Sequence, residues 1–151
     1  MARPPPHPPA APGVPEPPVV FSPWTPWAAR ETLRDAHLPG VYLLALFPAG
    51  PPPRVDPQDE AVIYIGEISD NSLLGRWHQF ARAAFSGTPG HAGGMVYHAE
   101  IGAPEQELYV AAFVPQGLSR ELRALYIRYV ERRLVWEYAR RHEAPPRCNR
   151  R

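Results

Sequence analysis

The chain has 151 residues, which is enough for one domain and too few for two of ordinary size. Its net charge of +1 is too small for overall charge to argue for nucleic-acid binding. A single cysteine, Cys148, excludes an internal disulfide and a zinc site built from cysteines, so a reducing cytoplasm is the expected compartment. No apolar run approaches the roughly 20 residues of a membrane span, and we expect no membrane association.

Residues 1–20 are rich in proline and are predicted to form a disordered or polyproline-II tail. Proline has no N–H to donate to a sheet, and this segment offers little apolar surface to bury. A proline-rich ligand for the aromatic groove of a partner is the less favoured alternative.

Residues 21–37 are predicted to form an arm that precedes the main domain, residues 38–151. Trp24 and Trp27 open a short helical stretch, which Pro39 and Gly40 terminate. We expect the two indoles to anchor this arm on the domain.

Three apolar runs in the domain are predicted to be strands. They are GVYLLALF at 40–47, AVIYIG at 61–66 and LYVAAFV at 108–114. Because each run is continuously apolar, both faces of their sheet should be covered. The predicted fold class is α/β of the α+β type, with a three-stranded, mostly antiparallel sheet flanked by helices.

Two helices follow from apolar spacing and capping residues. SLLGRWHQFARAAFSG should be helical, with Ser72 or Asn71 as N-cap and Gly87 as its end. Residues 88–98, TPGHAGGMVYH, are expected to be a glycine-rich connection. Ser119 can cap a long helix over residues 120–142, since no Gly or Pro interrupts that stretch.

The long helix is predicted to carry apolar residues on two nearly opposite faces. One face has Ile127, Leu134, Val135 and Tyr138, and the other has Leu122, Leu125, Tyr129 and Trp136. The sheet can cover one face, and the tryptophan arm or another subunit can cover the other. A homodimer or a partner protein bound through the arm and this helix is therefore possible. Glu131 is placed at the centre of the first face, where a carboxylate needs a partner.

Charge is distributed unevenly along the chain. The segment 120–151 has ten arginines against four glutamates, whereas the region around AVIYIG is locally acidic. Such a basic segment suits a phosphate-bearing partner, although a solvated helix face explains it equally well.

Five features occur in the order typical of a known family. They are GVY at 40–42, YIG at 64–66, Arg76 in the following helix, Glu131 in ERRLV and Asn149 in PRCN. Together they resemble the signature of the GIY-YIG nuclease superfamily over residues 38–149.

The resemblance implies a hydrolase, an endonuclease that cuts DNA phosphodiester bonds with Mg²⁺ or Mn²⁺. Glu131 would bind the metal ion, since one carboxylate with waters and a phosphate is a normal arrangement for Mg²⁺. Arg76 would hold the scissile phosphate with its planar, permanently charged group, and Gly66 would let the chain approach that phosphate. Tyr42 and Tyr64 would face the attacking water, provided that a cation lowers their pKa.

Two further residues have implied roles in the site. Asn149 would tie the active-site geometry together. His91, in PGHAGG, resembles a histidine that many members carry in the loop after the helix, and it would support the site or transfer a proton. The sequence departs from the family at Phe80, one helical turn after Arg76, where a His or Tyr is common.

Several alternatives stay open. Glu137 can be proposed as the metal ligand, although it lies about 120° from Glu131 around the helix. His37 and His98 are expected to be structural or exposed. An inactive nucleic-acid-binding module of the same fold and a protein-interaction domain are the alternative functions.

Overall fold

The computed structural model describes residues 1–8 and 13–150. Residues 9–12 of the predicted tail and Arg151 at the end of the predicted domain therefore lie outside the described residues. Four strands are present in the described ranges: β1 (Thr25–Pro26), β2 (Gly40–Leu46), β3 (Val62–Ile68) and β4 (Leu108–Phe113). The α-helices are α1 (Leu73–Ser86), α2 (Ala92–Val96) and α3 (Arg120–His142). Shorter helical turns cover Trp27–Thr32, Tyr97–Ile101, Glu105–Glu107 and Arg147–Asn149.

The strands form one antiparallel sheet in the order β1-β4-β2-β3. The α+β class is confirmed, and each of the three apolar runs forms a strand. The predicted number of three strands is wrong, because the arm adds β1 at the edge of the sheet. A two-residue strand that contains Pro26 is too short to produce an alternating pattern in the sequence.

Both faces of the sheet are covered, as the continuous apolar runs predicted. On one face, Val41, Leu43 and Ile65 pack with the buried residues of α3. On the other face, Tyr42 and Leu44 belong to a second cluster with the buried residues of α1. The successive side chains of β2 therefore enter two different cores, as the pleat of a strand requires.

The two long helices begin at the predicted caps. The Ser72 side chain accepts a hydrogen bond from the N–H of Gly75, and that of Ser119 accepts one from Leu122. Gly87 ends α1 in the left-handed conformation that glycine adopts without strain.

The connection predicted over residues 88–98 is wrong, because it contains α2. Helix α2 continues into the π-helical turn Tyr97–Ile101. Gly93 and Gly94 lower the helical propensity of this segment, which explains why the sequence pattern missed it. A Cβ at Gly94 would lie 2.7 Å from the Cβ of Ala83, so close packing of α2 on α1 requires glycine there.

The last part of the predicted tail contacts α3. The Tyr126 hydroxyl donates a hydrogen bond to the Pro17 carbonyl at 2.6 Å, and Arg133 lies 3.8 Å from the Glu16 carboxylate. Val19 packs against the core cluster of the α3 face. These contacts place Glu16, Pro17 and Val19 against the domain, and the disorder predicted for residues 1–20 stays a prediction.

The tryptophan arm is anchored through its indoles. Trp24 packs edge-on against Phe47, and Trp27 packs against Trp77 and Phe80. Both indoles are buried in the cores of the chain itself. The arm therefore does not cover the second apolar face of α3, which is exposed.

Over residues 1–8 and 13–150, every helix is too short or too polar to cross a membrane.

Candidate active site

Two phenols meet on the face of the sheet that α1 covers. Tyr42 in β2 is fully buried and Tyr64 in β3 is half-buried, with ring centroids 5.8 Å apart. The antiparallel register places Gly66 directly opposite Tyr42. The two predicted tyrosines are therefore neighbours across adjacent strands.

Gly66 provides the space that both rings occupy. A Cβ at this position would collide with Tyr64 Cε1, and it would lie 2.7 Å from Tyr42 Cζ and 2.8 Å from Tyr42 Oη. The close approach of a phosphate, which is the role expected of Gly66 from the sequence, stays a prediction. The observed reason for glycine is the packing of the two phenols.

His91 contacts the Tyr42 hydroxyl from the start of α2. Its Nε2 lies 3.0 Å from Tyr42 Oη, and its Nδ1 accepts a hydrogen bond from the N–H of Gly94 at 3.0 Å. Because Nδ1 is an acceptor, the hydrogen of the neutral ring is on Nε2 and is donated to Tyr42. Burial, and then the charge of Arg76, lower the pKa of His91 to about 3, so the ring is neutral at physiological pH.

Phe80 packs against the imidazole ring of His91 and provides no polar group of its own to the site. The Phe80 ring packs edge-on against His91 with centroids 5.3 Å apart, and the Tyr64 ring does so at 5.2 Å. Phe80 is fully buried. The polar group that α1 lacks one turn after Arg76 is thus provided next to Tyr42 by His91 from α2.

The two phenols are harder to ionise than free tyrosine. Burial raises the pKa of Tyr42 well above 10, and the neighbouring Tyr64 adds to this rise. Burial also raises the pKa of Tyr64. Arg76 opposes both shifts through its charge and through hydrogen bonds, but burial is the larger effect. The charge of Arg76 thus acts in the direction required of a cation beside the phenols, but it lowers their pKa by less than burial raises it.

The cluster runs from a buried end to a more exposed end. His91 and Tyr42, which are hydrogen-bonded to each other, are buried, and the Tyr64 ring lies beside the Tyr42 ring. Tyr64 is only half-buried. Tyr64 is therefore the phenol that a substrate or a water molecule can reach.

Arg76 is close to every titratable group of the cluster. The same guanidinium affects the pKa of Tyr42, Tyr64 and His91, after burial in each case. Its Nη1 also donates to Oε1 of Gln79 at 2.8 Å, one turn further along α1. Its half-buried position beside two phenols suits a group that holds a phosphate.

Glu131 approaches Tyr64 from the other side of the sheet. Its charge raises the pKa of Tyr64, although less strongly than burial does. The predicted position at the centre of the buried face is wrong, because Val130 and Leu134 occupy that centre and Glu131 is half-buried at its border. The apolar face predicted from the sequence did not include Val130, and that omission shifted its apparent centre to Glu131. A border position leaves a carboxylate accessible to solvent or to an ion.

The alternative ligand Glu137 lies elsewhere. Its carboxylate is 3.8 Å from Arg133, on the same helix. Arg133 in turn reaches Glu16 of the N-terminal segment. Because Glu137 is paired with Arg133 and Glu131 acts on Tyr64, Glu131 is favoured over Glu137 as the metal ligand.

Glu67 is a residue of the site that sequence analysis did not identify. Its Oε2 is buried and has no hydrogen-bond partner within the described ranges. Burial raises its pKa, and Arg128 and then Arg76 oppose that rise. Its place directly after Gly66, in an otherwise apolar strand, was the signal available in the sequence.

Asn149 fixes the exposed edge of β3. Its Oδ1 accepts from the N–H of Ile65 at 2.9 Å, and its Nδ2 donates to the Ile65 carbonyl at 2.8 Å. Ile65 lies between Tyr64 and Gly66, so this amide holds the backbone that carries both. Its contact with the active site is thus indirect.

His98, expected to be structural or exposed, is exposed, with Nδ1 3.2 Å from the Ala84 carbonyl.

The donor atoms fit a hard divalent cation. Within the ranges that the structure describes, no group of three or more His, Cys, Asp or Glu residues could hold a metal. The implied site is of another kind, in which one carboxylate shares the ion with waters and a phosphate. Glu131 and the buried, unpartnered oxygen of Glu67 are ligands of the type that Mg²⁺ and Mn²⁺ prefer.

Comparison with protein-family models, with curated proteins and with solved structures finds no match to this chain. The likeness to GIY-YIG nucleases therefore stays a prediction, which rests on the five sequence features.

Proposed function

We propose that the chain is a divalent-metal-dependent endonuclease that hydrolyses DNA phosphodiester bonds. The observation that carries this proposal is the meeting of Tyr42, Tyr64, Arg76 and His91 with Glu131. These residues come from separate elements, and each affects the hydrogen bonding or the pKa of another. Groups that perturb one another in this way are typical of catalytic sites.

Arg76 binds the scissile phosphate in this mechanism. Its fixed charge compensates the negative charge that accumulates on the phosphoryl oxygens as water attacks. Its position beside the phenols also brings the phosphate to the groups that handle the proton.

Tyr64 contacts the attacking water. In the fraction of the protein whose Tyr64 has lost its proton to solvent, the phenolate oxygen accepts a proton from the water. The water oxygen bonds to phosphorus while the bond to the leaving oxygen breaks, and the leaving oxygen takes a proton from solvent. In the proposed mechanism the Tyr42 hydroxyl, which accepts a hydrogen bond from His91, donates its own hydrogen to the Tyr64 oxygen. This series stabilises negative charge on Tyr64 as it develops.

Glu131 would hold the divalent cation, and Glu67 offers a second carboxylate of the kind that such an ion prefers. The charges of Arg128 and Arg132, which bracket Glu131 along α3, both act on Glu67. The ion, when bound, stabilises charge on the phosphate and on the leaving oxygen.

A plasmid-nicking assay with Mg²⁺ or Mn²⁺ tests this function. We expect Arg76→Ala and Glu131→Ala to lose about 100-fold or more of the nicking rate, because each removes a charge used in the transition state. Arg82→Ala and Glu137→Ala are matched controls on the same two helices and should nick like the wild type. Equal nicking by all five proteins would refute the assignment, and circular dichroism checks that each variant is folded.

The alternative function is a DNA-binding module without turnover. It is favoured by the raised pKa of both phenols, which keeps them protonated at neutral pH. Binding of supercoiled, branched and gapped DNA by the wild type, with no cleavage of any of them at alkaline pH, would establish this alternative.

A further inference from the structure

The outer face of α3 carries large apolar side chains that the core does not use. Leu122, Leu125, Tyr129 and Trp136 are exposed by 40%, 58%, 49% and 62%. Val14, which is also exposed, lines a surface pocket with Leu122 and Tyr129, so the N-terminal segment borders this part of the helix. The other exposed large apolar residues of the described ranges, Met1, Val20 and Phe85, are not part of α3. An exposed apolar patch of this kind marks a binding surface.

These four residues form a line along the helix. Their separations of three, four and seven residues place them on one face, and 14 residues of helix correspond to about 21 Å. The buried residues Ile127, Val130, Leu134 and Tyr138 lie on the opposite side. We call the line, with the arginines beside it, the α3 outer face.

Arginines flank the line of apolar residues. Arg128 and Arg132 lie three residues after Leu125 and Tyr129, and Arg140 lies four residues after Trp136. The guanidinium of a further arginine, Arg133, lies over the Tyr129 ring, 5.5 Å from its centroid. Two carboxylates pair with Arg133, those of Glu16 and Glu137, each at 3.8 Å, and Glu121 lies in the first turn of α3.

The charge of this face favours a polyanion over a second copy of the chain. A two-fold dimer through this face would bring the arginine-flanked surfaces of both copies together, and like charges across an interface are costly. Exposed aromatic rings beside arginines are the features that bind single-stranded nucleic acid, because unpaired bases stack on the rings and phosphates pair with the arginines. A duplex keeps its bases stacked and leaves the rings without partners.

Two arginines connect the α3 outer face with Glu67 of the candidate active site. Burial raises the pKa of Glu67, and the charges of Arg128 and Arg132 oppose that rise. The side of the face that carries these two arginines is therefore the side nearer to the site.

We propose that the α3 outer face binds a single-stranded segment of DNA beside the site, with bases stacked on Trp136 and Tyr129 and phosphates on Arg128, Arg132 and Arg140. This inference rests on the proposed function and narrows its substrate to DNA with an unpaired segment, such as a flap, gap or branch.

Binding in the absence of metal tests the proposal separately from cleavage. The full chain, in EDTA, is titrated into labelled oligothymidylate and into a blunt duplex of equal length, with fluorescence anisotropy as the readout. We expect Trp136→Ala and Tyr129→Ala each to weaken single-strand binding by about tenfold and to change duplex binding little. Trp136→Phe should restore most of the binding, since it keeps an aromatic ring.

Arg132→Ala tests the phosphate contacts. It should reduce the slope of log K against log salt concentration by about 0.7 for the single strand. Phe85→Ala and Arg34→Ala remove an exposed aromatic ring and an exposed arginine elsewhere, and they should bind like the wild type. Addition of the single strand should also quench the tryptophan fluorescence of the wild type, and this signal reports on Trp136 because the other three tryptophans are buried.

Four results would overturn the proposal. Trp136→Ala could leave single-strand binding unchanged, or it could weaken binding of the single strand and of the duplex equally. The wild type could bind oligouridylate more tightly than oligothymidylate, or it could form a dimer that Trp136→Ala dissociates. If the expected binding pattern is found and the plasmid is not nicked, the proposed nuclease function fails and this inference stands. If the plasmid is nicked and Trp136→Ala binds the single strand normally, only this inference fails.

Discussion

At the scale of the residue, the site depends on one imidazole whose two nitrogens have different partners. His91 Nδ1 is fixed by the N–H of Gly94, so Nε2 must donate to Tyr42. The histidine could be predicted from its place after α1. Its partner could not, because the contact with Tyr42 spans 49 residues of sequence and depends on the unpredicted helix α2.

His91 should make the stability of the protein depend on pH. Its pKa is about 3 in the folded protein and about 6.5 in the unfolded chain, so its contribution is present above pH 6.5 and is lost as the pH falls towards 3. Between about pH 7 and pH 5 the wild type should lose about 2 kcal/mol of unfolding free energy through this group. His91→Gln should remove that part of the pH dependence in urea titrations.

The matched control for this measurement is His78→Gln, which changes an exposed histidine of α1. Its stability should fall with pH as that of the wild type does. The same pH dependence in His91→Gln and in the wild type would contradict the assigned neutral, buried imidazole.

Gly66→Ala should destabilise the domain, because the new Cβ would overlap the rings of Tyr42 and Tyr64. Overpacking of this kind costs about 1–3 kcal/mol of unfolding free energy, which urea denaturation measures. Gly13→Ala, where nothing lies within 4 Å of the new Cβ, should have little effect. If Gly66→Ala were as stable as the wild type, the close packing of the phenols would be refuted.

At the scale of the element, the segments with strong local signals could be predicted and those fixed by tertiary contacts could not. Helix α3 begins and ends at the predicted residues, since Ser119 caps it and no Gly or Pro lies inside it. Helix α2 contains two adjacent glycines that its neighbours require, and β1 has only two residues. Their local propensity is weak, and packing decides their structure.

Asn149 should stabilise the edge strand β3 through its two hydrogen bonds to Ile65. Asn149→Ala should cost about 1–3 kcal/mol and increase the hydrogen-exchange rate of the Ile65 amide, since that N–H loses its acceptor. Arg150→Ala, at the neighbouring exposed position, should leave the exchange rate of Ile65 unchanged. Unaltered protection of Ile65 in Asn149→Ala would show that the C-terminal turn does not hold the strand.

At the scale of the whole molecule, the site lies where the two covered faces of the sheet meet. Strand β3 is at the edge of the order β1-β4-β2-β3. Arg76 comes from the α1 face and Glu131 from the α3 helix on the opposite face, and both act on Tyr64. The strand order, which brings β3 to the edge, could not be predicted from the apolar runs, because each run is compatible with any position in a covered sheet.

The central claim is that Tyr64 handles the proton of the attacking water in a metal-dependent nuclease. Its most direct test is the single-turnover rate at which wild type and Tyr64→Phe cleave a labelled DNA with an unpaired segment in Mg²⁺. The substitution removes one oxygen and keeps the ring, so folding and metal-free DNA binding should be preserved. We predict that the cleavage rate falls by about 10²–10⁴-fold, the range of general acid–base catalysis. Cleavage by Tyr64→Phe at the wild-type rate would contradict the account.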